Sequence, residues 1–315
     1  MDITEKIQRI EEQKEWFDRH LRECRLCPRE CAVNRAGGHM GVCGVSDKLT
    51  LYAAFLHQGE EPAISGSRGS GTLFFSGCSL HCLFCQNYQF SHENRGTQIS
   101  ADGCAEIMVK LQAQGAHNIN LVTGTHFLPQ ILESLRIAYI RGLTVPVVWN
   151  TSGYEKNEVI GHLGGVIDVY LADMKYFSPE IAQLGSHTPK YPFYAQDAIK
   201  TMYSQKNGVL YDKEQALILS GLVIRHLVLP GAVDDSLAVL NWIKEHTPEA
   251  LISVMFQYRP YFQAHKIDGL NRPLTLSEYQ RIIDFLDTLD FDGWVQEYNP
   301  REDLAGVHFP QKIDI

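Results

Sequence analysis

The chain has 315 residues, of which 44% are apolar and 21% are charged, and its formal net charge is −9. A chain of this length buries a full core without disulfides, and it has no run approaching the roughly 18 to 20 apolar residues of a membrane span. The negative net charge provides no long-range attraction to nucleic acid, and the start of the chain is too charged for a secretory signal. We therefore expect a cytoplasmic protein without a membrane or nucleic-acid partner.

The eight cysteines are unevenly distributed, because seven lie within the first 85 residues and the last is Cys104. In a reducing compartment, closely spaced thiols bind metals or take part in redox chemistry more often than they form disulfides. The two dense groups, at 24–43 and 78–85, are therefore predicted to be chemical sites. Cys104 opens a predicted helix away from both groups and is predicted to be a small core residue.

In chain order, apolar positions near helical spacing predict an amphipathic helix over residues 1–23. A loop rich in Gly and Pro follows and contains the first cysteine group. A strand is predicted from 49 to 56. The glycine-rich stretch 66–71 lacks the spacing of a phosphate-binding loop and is predicted to supply a turn. Just upstream of it, His57, Glu60 and Glu61 are expected to lie in a solvated loop. The alternative is that they border the substrate cavity.

From residue 72 onward, β-rich runs alternate with helical segments. The runs are 72–76, 118–123, 145–150, 166–172, 222–229 and 251–257, and the helical segments are 102–114, 128–141, 154–163, 178–204, 236–245 and 277–289. This alternation indicates a parallel sheet with right-handed crossovers, either an open doubly wound sheet or an incomplete (β/α)6 barrel. In both, ligands bind at the carboxyl ends of the strands. The long segment 178–204 is expected to shape a substrate site.

The first of these strands runs directly into three cysteines, Cys78, Cys82 and Cys85, which are spaced C-x3-C-x2-C. A structural zinc site takes four ligands, whereas three cysteines on one loop can hold three irons of a [4Fe-4S] cluster and leave the fourth iron open. The alternative is a zinc loop, in which His81 or a remote residue completes a tetrahedron.

The motif has an aromatic residue just before its third cysteine and follows the first strand of a βα series. In both respects it resembles the radical S-adenosylmethionine (SAM) superfamily. Within that superfamily, the stretch CLFCQN at 82–87 and the later strand ends are most similar to relatives of the pyruvate formate-lyase activating enzyme, in a branch with four N-terminal cysteines. The resemblance implies an α/β fold, with an incomplete (β/α)6 TIM-like barrel at 49–290. An N-terminal helix and Cys-rich metal-binding module at 1–48 and a C-terminal extension at 291–315 would flank it.

The resemblance also implies a chemistry. A [4Fe-4S] cluster would bind SAM through its open iron and cleave it reductively to a 5′-deoxyadenosyl radical, which abstracts hydrogen. A glycyl-radical enzyme would be the protein substrate, and flavodoxin or ferredoxin would be the electron donor. The alternatives are radical modification of a small molecule or peptide and, from another class, a non-catalytic iron–sulfur or zinc protein for electron transfer or binding.

By the same resemblance, residues that follow the first two strands of the series are expected to bind SAM. Phe84 would pack on the adenine, and Asn87 would lie near the bound cofactor. Thr123, Gly124 and Thr125 occupy the place of a Gly-Gly-Glu-like turn whose backbone receives the SAM amino group. The side chains of this turn differ from the family pattern, so its backbone carries the expected role.

Four further polar residues follow the third and fourth strands. Asn150 and Ser152 lie in a turn that resembles the family's Asn-Thr-Asn-Gly turn. Asp173-Met174-Lys175 resembles its Asp-Leu-Lys signature, in which Lys175 would pair with the SAM carboxylate and Asp173 would hold Lys175 or a ribose hydroxyl. Because positions i and i+2 share a strand face, both side chains can point into one pocket. A surface ion pair is the alternative.

The fifth and sixth strands each add one residue to the expected site. Arg225 lies in a strand that ends in Pro230-Gly231, as in the activating enzymes, and would grip a carboxylate bidentately. Gln257 stands where the pyruvate formate-lyase activator has a His near SAM, and would hydrogen-bond the ribose or the methionyl group.

The N-terminal cysteine group consists of Cys24, Cys27, Cys31 and Cys43. Four thiols are enough to close a metal site, either tetrahedral zinc or a second [4Fe-4S] cluster. Their spacing differs from the two-cluster ferredoxin insert of some activating enzymes, so no electron-relay role is carried over. We expect the four thiols to bind metal and to help cover the mouth of the active site.

Overall fold

A computed structural model describes residues 2–206, 208–212, 214, 216–299 and 311–313. The elements in chain order are α1 (Ile3–Arg22), β1 (Thr50–His57), α2 (Pro62–Ser65), β2 (Ser70–Phe75), α3 (Tyr88–Ser91), β3 (Thr97–Gln98), α4 (Ala101–Ala113), β4 (Ile119–Val122), α5 (Leu128–Ile140), β5 (Val147–Thr151), α6 (Asn157–Leu163), β6 (Val169–Asp173), α7 (Pro179–Ser186), α8 (Tyr191–Ser204), β7 (Leu210–Asp212), β8 (Leu217–Leu227), α9 (Val233–His246), β9 (Leu251–Met255), α10 (Leu276–Leu286) and β10 (Gly293–Val295).

One large sheet organises the chain, with strand order β10-β9-β8-β6-β5-β4-β2-β1-β3. In this order the seven strands from β10 to β2 run parallel, whereas β1 is antiparallel to both β2 and β3. The strand β7 lies off this path and is antiparallel to β8. All six strands of the predicted series are present. Among the described residues, β10 and β3 do not pair with each other, so the sheet stays open. The predicted incomplete barrel is confirmed, with β10 as an additional parallel strand.

The central strands are buried along their whole length. Every residue of β2, β4 and β5 is buried, as expected for parallel strands that are covered on both faces. The helices α4 and α5 pack against each other outside the sheet, and α1 packs on α5. Lys6 of α1 forms an ion pair of 2.6 Å with Asp168, whose carboxylate also accepts the backbone N–H of Val147 at 2.8 Å. The N-terminal helix is therefore fixed to the amino ends of two strands.

The predicted helical segment 178–204 is divided into α7 and α8. The helix α7 begins with Ser178, whose side chain accepts from the backbone N–H of Ile181, and ends at His187 in the left-handed conformation, φ +49°. The helix α8 begins with Tyr191, which is fully buried. After this break, α8 begins beside the carboxyl end of β6, where the Tyr191 hydroxyl contacts Lys175, and runs toward the amino end of that strand.

The two margins of the sheet differ in how they end. At one margin, β10 pairs with β9, and the N–H of Gln296 donates to Val254 O at 2.9 Å. At the other margin, Ala54 of β1 pairs with Ile313 in an isolated bridge. The predicted extension 291–315 thus contributes β10. Its residues 300–310, 314 and 315 lie outside the described residues. The domain boundaries stay a prediction. No helix in the described part of the chain is long and apolar enough to cross a membrane.

Candidate active site

A cavity of about 770 Å³ opens at the carboxyl ends of the parallel strands. It brings together most of the residues predicted from the sequence, although they come from six different strand ends. Those that line it are Cys78, Phe84, Cys82, Cys85, Asn87, Thr123, Asn150, Ser152, Asp173, Lys175, Arg225 and Gln257. Gly124 and Thr125 do not line it. The volume lies in the range of pockets that hold drug-sized ligands.

The three cysteines that follow β2 lie on a tight buried loop. The turn begins at Gly77, with φ +86°, whose N–H donates to Phe90 O at 2.7 Å. Burial, with a smaller contribution from the neighbouring Cys82, raises the pKa of Cys78 to about 11 and that of Cys85 to about 12. Three mutually close thiols in a site with little water favour the thiolate form only when a cationic centre binds them.

A zinc loop completed by His81 has no support in the side-chain positions. His81 lies against the ring of His92, with ring centroids 4.8 Å apart, and burial lowers its pKa to about 4. Among the described residues, no group of three or more His, Cys, Asp or Glu side chains is placed to hold a metal ion. This holds for the side-chain positions of both cysteine groups. The metal-binding roles of these two groups therefore stay predictions.

Lys175 and Asp173 form the expected pair inside the cavity wall. The Lys175 Nζ lies 2.6 Å from the Asp173 carboxylate, and each side chain is only about one-fifth exposed, at 18% and 20%. Burial opposes the charge of Lys175, but Asp173 and the thiol of Cys82 outweigh it, so the pKa of Lys175 is raised. The pair is therefore not a surface ion pair. The pair is neutral as a whole and places the Lys175 ammonium in the cavity wall, together with the three cysteines.

Arg225 is engaged by two carboxylates of the chain itself. Its Nε donates to Glu61 at 2.7 Å, and its Nη2 forms ion pairs with both Glu60 and Glu61. Glu60 also accepts from the side chain of Asn120 at 2.7 Å. The expectation of a solvated loop at 57–61 was wrong for these two residues, whose side chains are 7% and 5% exposed. Two carboxylates against one guanidinium leave an excess negative charge at this end of the cavity.

The family model of the radical SAM superfamily matches residues 72–256, which run from β2 to just past β9 and make up more than half of the chain. The chain belongs to the radical SAM superfamily. An uncharacterized protein of Methanocaldococcus jannaschii, MJ0674, is 31% identical over 281 residues, which cover 86% of this chain and 76% of that protein. The relationship to the radical SAM superfamily that the cysteine motif implied is confirmed.

One solved structure shares the fold over much of this chain. SuiB of Streptococcus suis bound to S-adenosylmethionine aligns over 74% of this chain with a TM-score of 0.50 and 11% identity. The alignment covers 51% of SuiB, so this chain spans about half the length of that protein. Methylornithine synthase, PylB, aligns over 74% of this chain and 72% of its own, with a TM-score of 0.45 and 12% identity.

Radical SAM proteins use a [4Fe-4S] cluster and SAM, so the predicted cofactors are confirmed for the family. The residue types that line this radical SAM cavity suit both groups, although the three sulfurs are not arranged around a common metal ion. Three thiols stand on one loop beside the charged Lys175. Asn87, two positions after Cys85, has a buried Oδ1 without a hydrogen-bond partner among the described residues. A buried polar atom left unpaired at a cavity wall favours a ligand that supplies the missing donor.

Aromatic side chains form the wall around the predicted adenine site. Phe84 is buried and packs against Tyr258 and Tyr176, with ring centroids 5.6 and 6.3 Å away. Gln257 lines the same wall, where its Oε1 accepts from the side chain of Gln296 at 3.2 Å. The SAM-binding roles of Phe84 and Gln257 stay predictions.

The turn after β4 directs its side chains away from the cavity, except for Thr123. Thr123 has φ +57° and lines the cavity. Gly124 packs against Trp149, whose ring leaves no room for a larger residue, and Thr125 donates to the carboxylate of Glu155 at 2.6 Å. Gly124 and Thr125 can therefore contribute to the cavity only through their backbone, which is the role expected from the family resemblance.

Sequence reasoning missed two buried residues that hold the site together. The hydroxyl of Tyr191 accepts the N–H of Lys175 at 2.9 Å and lies 2.8 Å from Ser152 O and 3.0 Å from Asp173 O. Glu155 accepts from Thr151 as well as from the turn after β4. No described residue in 178–204 lines the cavity. The expectation that this segment shapes a substrate site is corrected, because it supports the strand ends from behind.

The N-terminal cysteine module packs beneath the cysteine loop and does not cover the cavity mouth. No residue in 24–43 lines the cavity. Arg29, two residues after Cys27, donates to Ser79 O at 2.8 Å and to Leu80 O at 3.2 Å. The expected cover is therefore a support, in direct contact with the backbone between the first two cysteines of the radical SAM motif.

Proposed function

We propose that this chain cleaves SAM reductively in the cytoplasm and activates a glycyl-radical enzyme by abstracting hydrogen from one of its glycines. Flavodoxin or ferredoxin would be the electron donor. One observation carries the proposal: the strand ends that resemble the activating enzymes converge, with the three-cysteine loop, on one cavity. The bound [4Fe-4S] cluster supplies the electron for cleavage of SAM, and the protein positions and shields the reactants.

The residues of the chain would divide the binding of SAM among them. The ammonium group of Lys175 is held toward the cavity by Asp173 and is suited to pair with the methionyl carboxylate. Phe84 offers an aromatic face to the adenine, and Asn87 offers an unpaired acceptor to a polar group of the cofactor. Each contact orients the cofactor and leaves the chemistry to the cluster.

The cavity wall also suits a reactive radical. Between the cysteine loop and β9 it includes the apolar side chains of Phe74, Leu80, Val122 and Val254. These side chains exclude water from the space where hydrogen abstraction would occur, and they offer few alternative polar reactants.

A second candidate function is radical modification of a small molecule or peptide that carries a cationic group. The observation that favours it is the cluster of Glu60, Glu61 and Arg225, which leaves one carboxylate charge uncompensated at the cavity wall. A substrate amine or guanidinium would neutralise that charge. The glycine of a partner protein makes no such demand.

Reductive cleavage of SAM is tested on the anaerobically reconstituted full-length protein. With a strong reductant, the protein should form 5′-deoxyadenosine, and Cys82→Ala should abolish its formation. The matched control is Cys104→Ala, which removes a fully buried thiol outside the cavity. Retained cleavage by Cys82→Ala would show that the wrong thiols have been chosen, and no product from the fully loaded wild type would refute the enzymatic function.

The substrate is tested by isotope transfer. A candidate glycyl-radical enzyme labelled with deuterium at glycine Cα should pass deuterium into 5′-deoxyadenosine and acquire an organic-radical signal in electron paramagnetic resonance. Reduced flavodoxin and ferredoxin should each be tried as the donor. Deuterium that arrives from a labelled cationic small molecule or peptide, and not from glycine, would establish the second candidate in place of the first.

A further inference from the structure

Four thiols converge at a place separate from the radical SAM cavity. Cys24, Cys27 and Cys43 are buried and Cys31 is partly buried. A Cβ on Gly41 would lie 3.1 Å from the Sγ of Cys31 and 3.4 Å from that of Cys43, so both sulfurs lie beside the same backbone position. The backbone N–H of Cys24 donates to Val33 O at 3.0 Å, and the Cγ2 of Val33 lies 3.7 Å from the same Cβ position on Gly41.

A buried cation lies beside these thiols. Arg35 is completely buried, and its guanidinium donates to the carbonyl oxygens of His126 and Ser46. Its Nε has no hydrogen-bond partner, and no carboxylate of the described residues forms an ion pair with it. Arg35 therefore contacts the segment that carries one of the thiols, because Ser46 lies three residues after Cys43. A buried charge is costly unless an anion accompanies it.

We propose that Cys24, Cys27, Cys31 and Cys43 bind a thiophilic metal centre as thiolates, and that Arg35 compensates part of its negative charge. Four thiolates around Zn²⁺, or around a [4Fe-4S] cluster in its doubly positive state, leave an excess of negative charge. This excess supplies the anion that Arg35 lacks among the side chains. The charge of Arg35 and the negative charge of the four thiolates thus compensate each other. The radical SAM cavity explains neither the buried arginine nor the four thiols.

The proposed centre would also position the radical SAM loop. Arg29 lies between two of the four cysteines and holds the backbone carbonyls of Ser79 and Leu80. On the other side, a Cβ on Gly77 would lie 2.6 Å from Cys43 O, so the module and the start of the loop are in direct contact. Metal bound by the four thiols would fix both contacts. Arg29 is in this sense a positioning residue for Cys78 and Cys82.

Metal analysis of the full-length protein tests the centre. The variant Cys78→Ala/Cys82→Ala/Cys85→Ala removes the radical SAM cluster and should retain either one zinc or a complement of iron and sulfide per chain. Addition of Cys24→Ala/Cys27→Ala should remove it, whereas addition of Cys104→Ala should not. Zinc and an iron–sulfur cluster both support the proposal and are distinguished by the metal found.

The wild-type chain supplies a measurement that does not depend on how the variants fold. Its anaerobically purified form should contain metal beyond one [4Fe-4S] cluster. A triple variant without metal, a wild type with only one cluster, or disulfides among the four thiols by mass spectrometry would each overturn the proposal. None of these readouts depends on substrate, so failure here is separate from failure of the proposed function.

Arg35 is tested by charge replacement. In a chelator competition, Arg35→Gln should lower the affinity for the N-terminal metal by at least about tenfold, as is usual for groups that support metal ligands. Arg35→Lys keeps the charge and should lose less than Arg35→Gln. Equal affinities in the wild type, Arg35→Gln and Arg35→Lys would contradict the role of Arg35.

Arg29 is tested by a spectroscopic change at the other site. Arg29→Gln should leave the N-terminal metal in place but alter the electron paramagnetic resonance spectrum of the reduced radical SAM cluster and weaken its response to SAM. The control is Arg25→Gln, since Arg25 pairs with Glu23 at the surface. A spectrum and a SAM affinity identical to those of the wild type would refute the coupling.

Discussion

Glu155 is a carboxyl group almost without access to water. It is 1% exposed, and its Oε1 accepts the hydroxyls of Thr125 and Thr151 at 2.6 Å each, while its Oε2 has no hydrogen-bond partner among the described residues. Burial is the main cause that raises its pKa to about 7. The residue joins the turns after β4 and β5, and it has a proton to release near neutral pH.

The folded protein should lose stability as the pH rises toward the pKa of Glu155. Between pH 4.5 and about 7, folded Glu155 keeps a proton that the unfolded chain has already released, so the free energy of unfolding falls as pH rises. Glu155→Gln keeps an acceptor for both threonines and cannot titrate. Its free energy of unfolding, relative to that of the wild type, should therefore rise by about 3 kcal/mol across this window. Parallel curves from urea unfolding at several pH values would contradict this.

Arg225 and its two carboxylates should behave as one unit. Arg225→Met leaves Glu60 and Glu61 buried side by side without a cation, which should cost about 3 to 5 kcal/mol of the free energy of unfolding. Adding Glu61→Gln should restore part of that loss, because one of the two negative charges is removed. A double-mutant cycle by urea unfolding measures the coupling. Additive losses would show that the three residues do not act together.

What could be predicted at this scale depended on distance along the chain. Cys78, Cys82 and Cys85 lie within eight positions, so the sequence alone predicts that they act together. Arg225 and Glu61 are separated by 164 residues, and only the placement of β8 beside the segment that precedes α2 brings them together. Sequence patterns therefore predicted the shared role of the three thiols but not the ion pairs between Arg225 and the carboxylates.

The helix α8 acts on the active site through one hydroxyl group. Tyr191→Phe would leave the buried N–H of Lys175 and the carbonyls of Ser152 and Asp173 without this partner. We expect a loss of about 1 to 3 kcal/mol in the free energy of unfolding, with a raised KM for SAM. Tyr194→Phe is the matched control, since the hydroxyl of Tyr194 forms no hydrogen bond with another described residue. Equal effects of the two substitutions in urea unfolding and kinetics would refute the role.

Elements were predictable where their pattern was long or strongly punctuated. The strands β2, β4 and β5 are buried at every position, and the predicted strands overlap the observed ones closely. The break between α7 and α8 occurs at His187, which has a left-handed backbone. Because this residue is not a glycine, the sequence gives no signal of the break. The strand β10 has three residues, too few for a periodic pattern. Both depend on packing against the rest of the sheet.

The open sheet depends at one margin on a single glycine. Gly293 has φ +147°, and a Cβ there would overlap the backbone of Ile252. Gly293→Ala should therefore detach β10, and the amide of Ile252, which donates to Asp292 O, should exchange with deuterium faster. We expect a stability loss larger than the about 1 to 3 kcal/mol of backbone strain alone.

Gly142→Ala is the control for this substitution, because Gly142 also has positive φ, +96°, but no atoms within 4 Å of an added Cβ. Its effect measures the cost of the backbone conformation without steric overlap. Unchanged amide exchange at Ile252 in Gly293→Ala, or a stability loss no greater than that of Gly142→Ala, would contradict the dependence of β10 on this glycine.

The contact between Ile313 and Ala54 covers part of the sheet margin at β1. The N–H of Ala54 donates to Lys312 O at 2.9 Å, beside the parallel bridge to Ile313. The strand β3 covers only the other end of β1, at Thr50 and Leu51. An edge strand with unpaired backbone groups is a template for pairing with a second chain. Residues 312 and 313 therefore protect this margin against self-association.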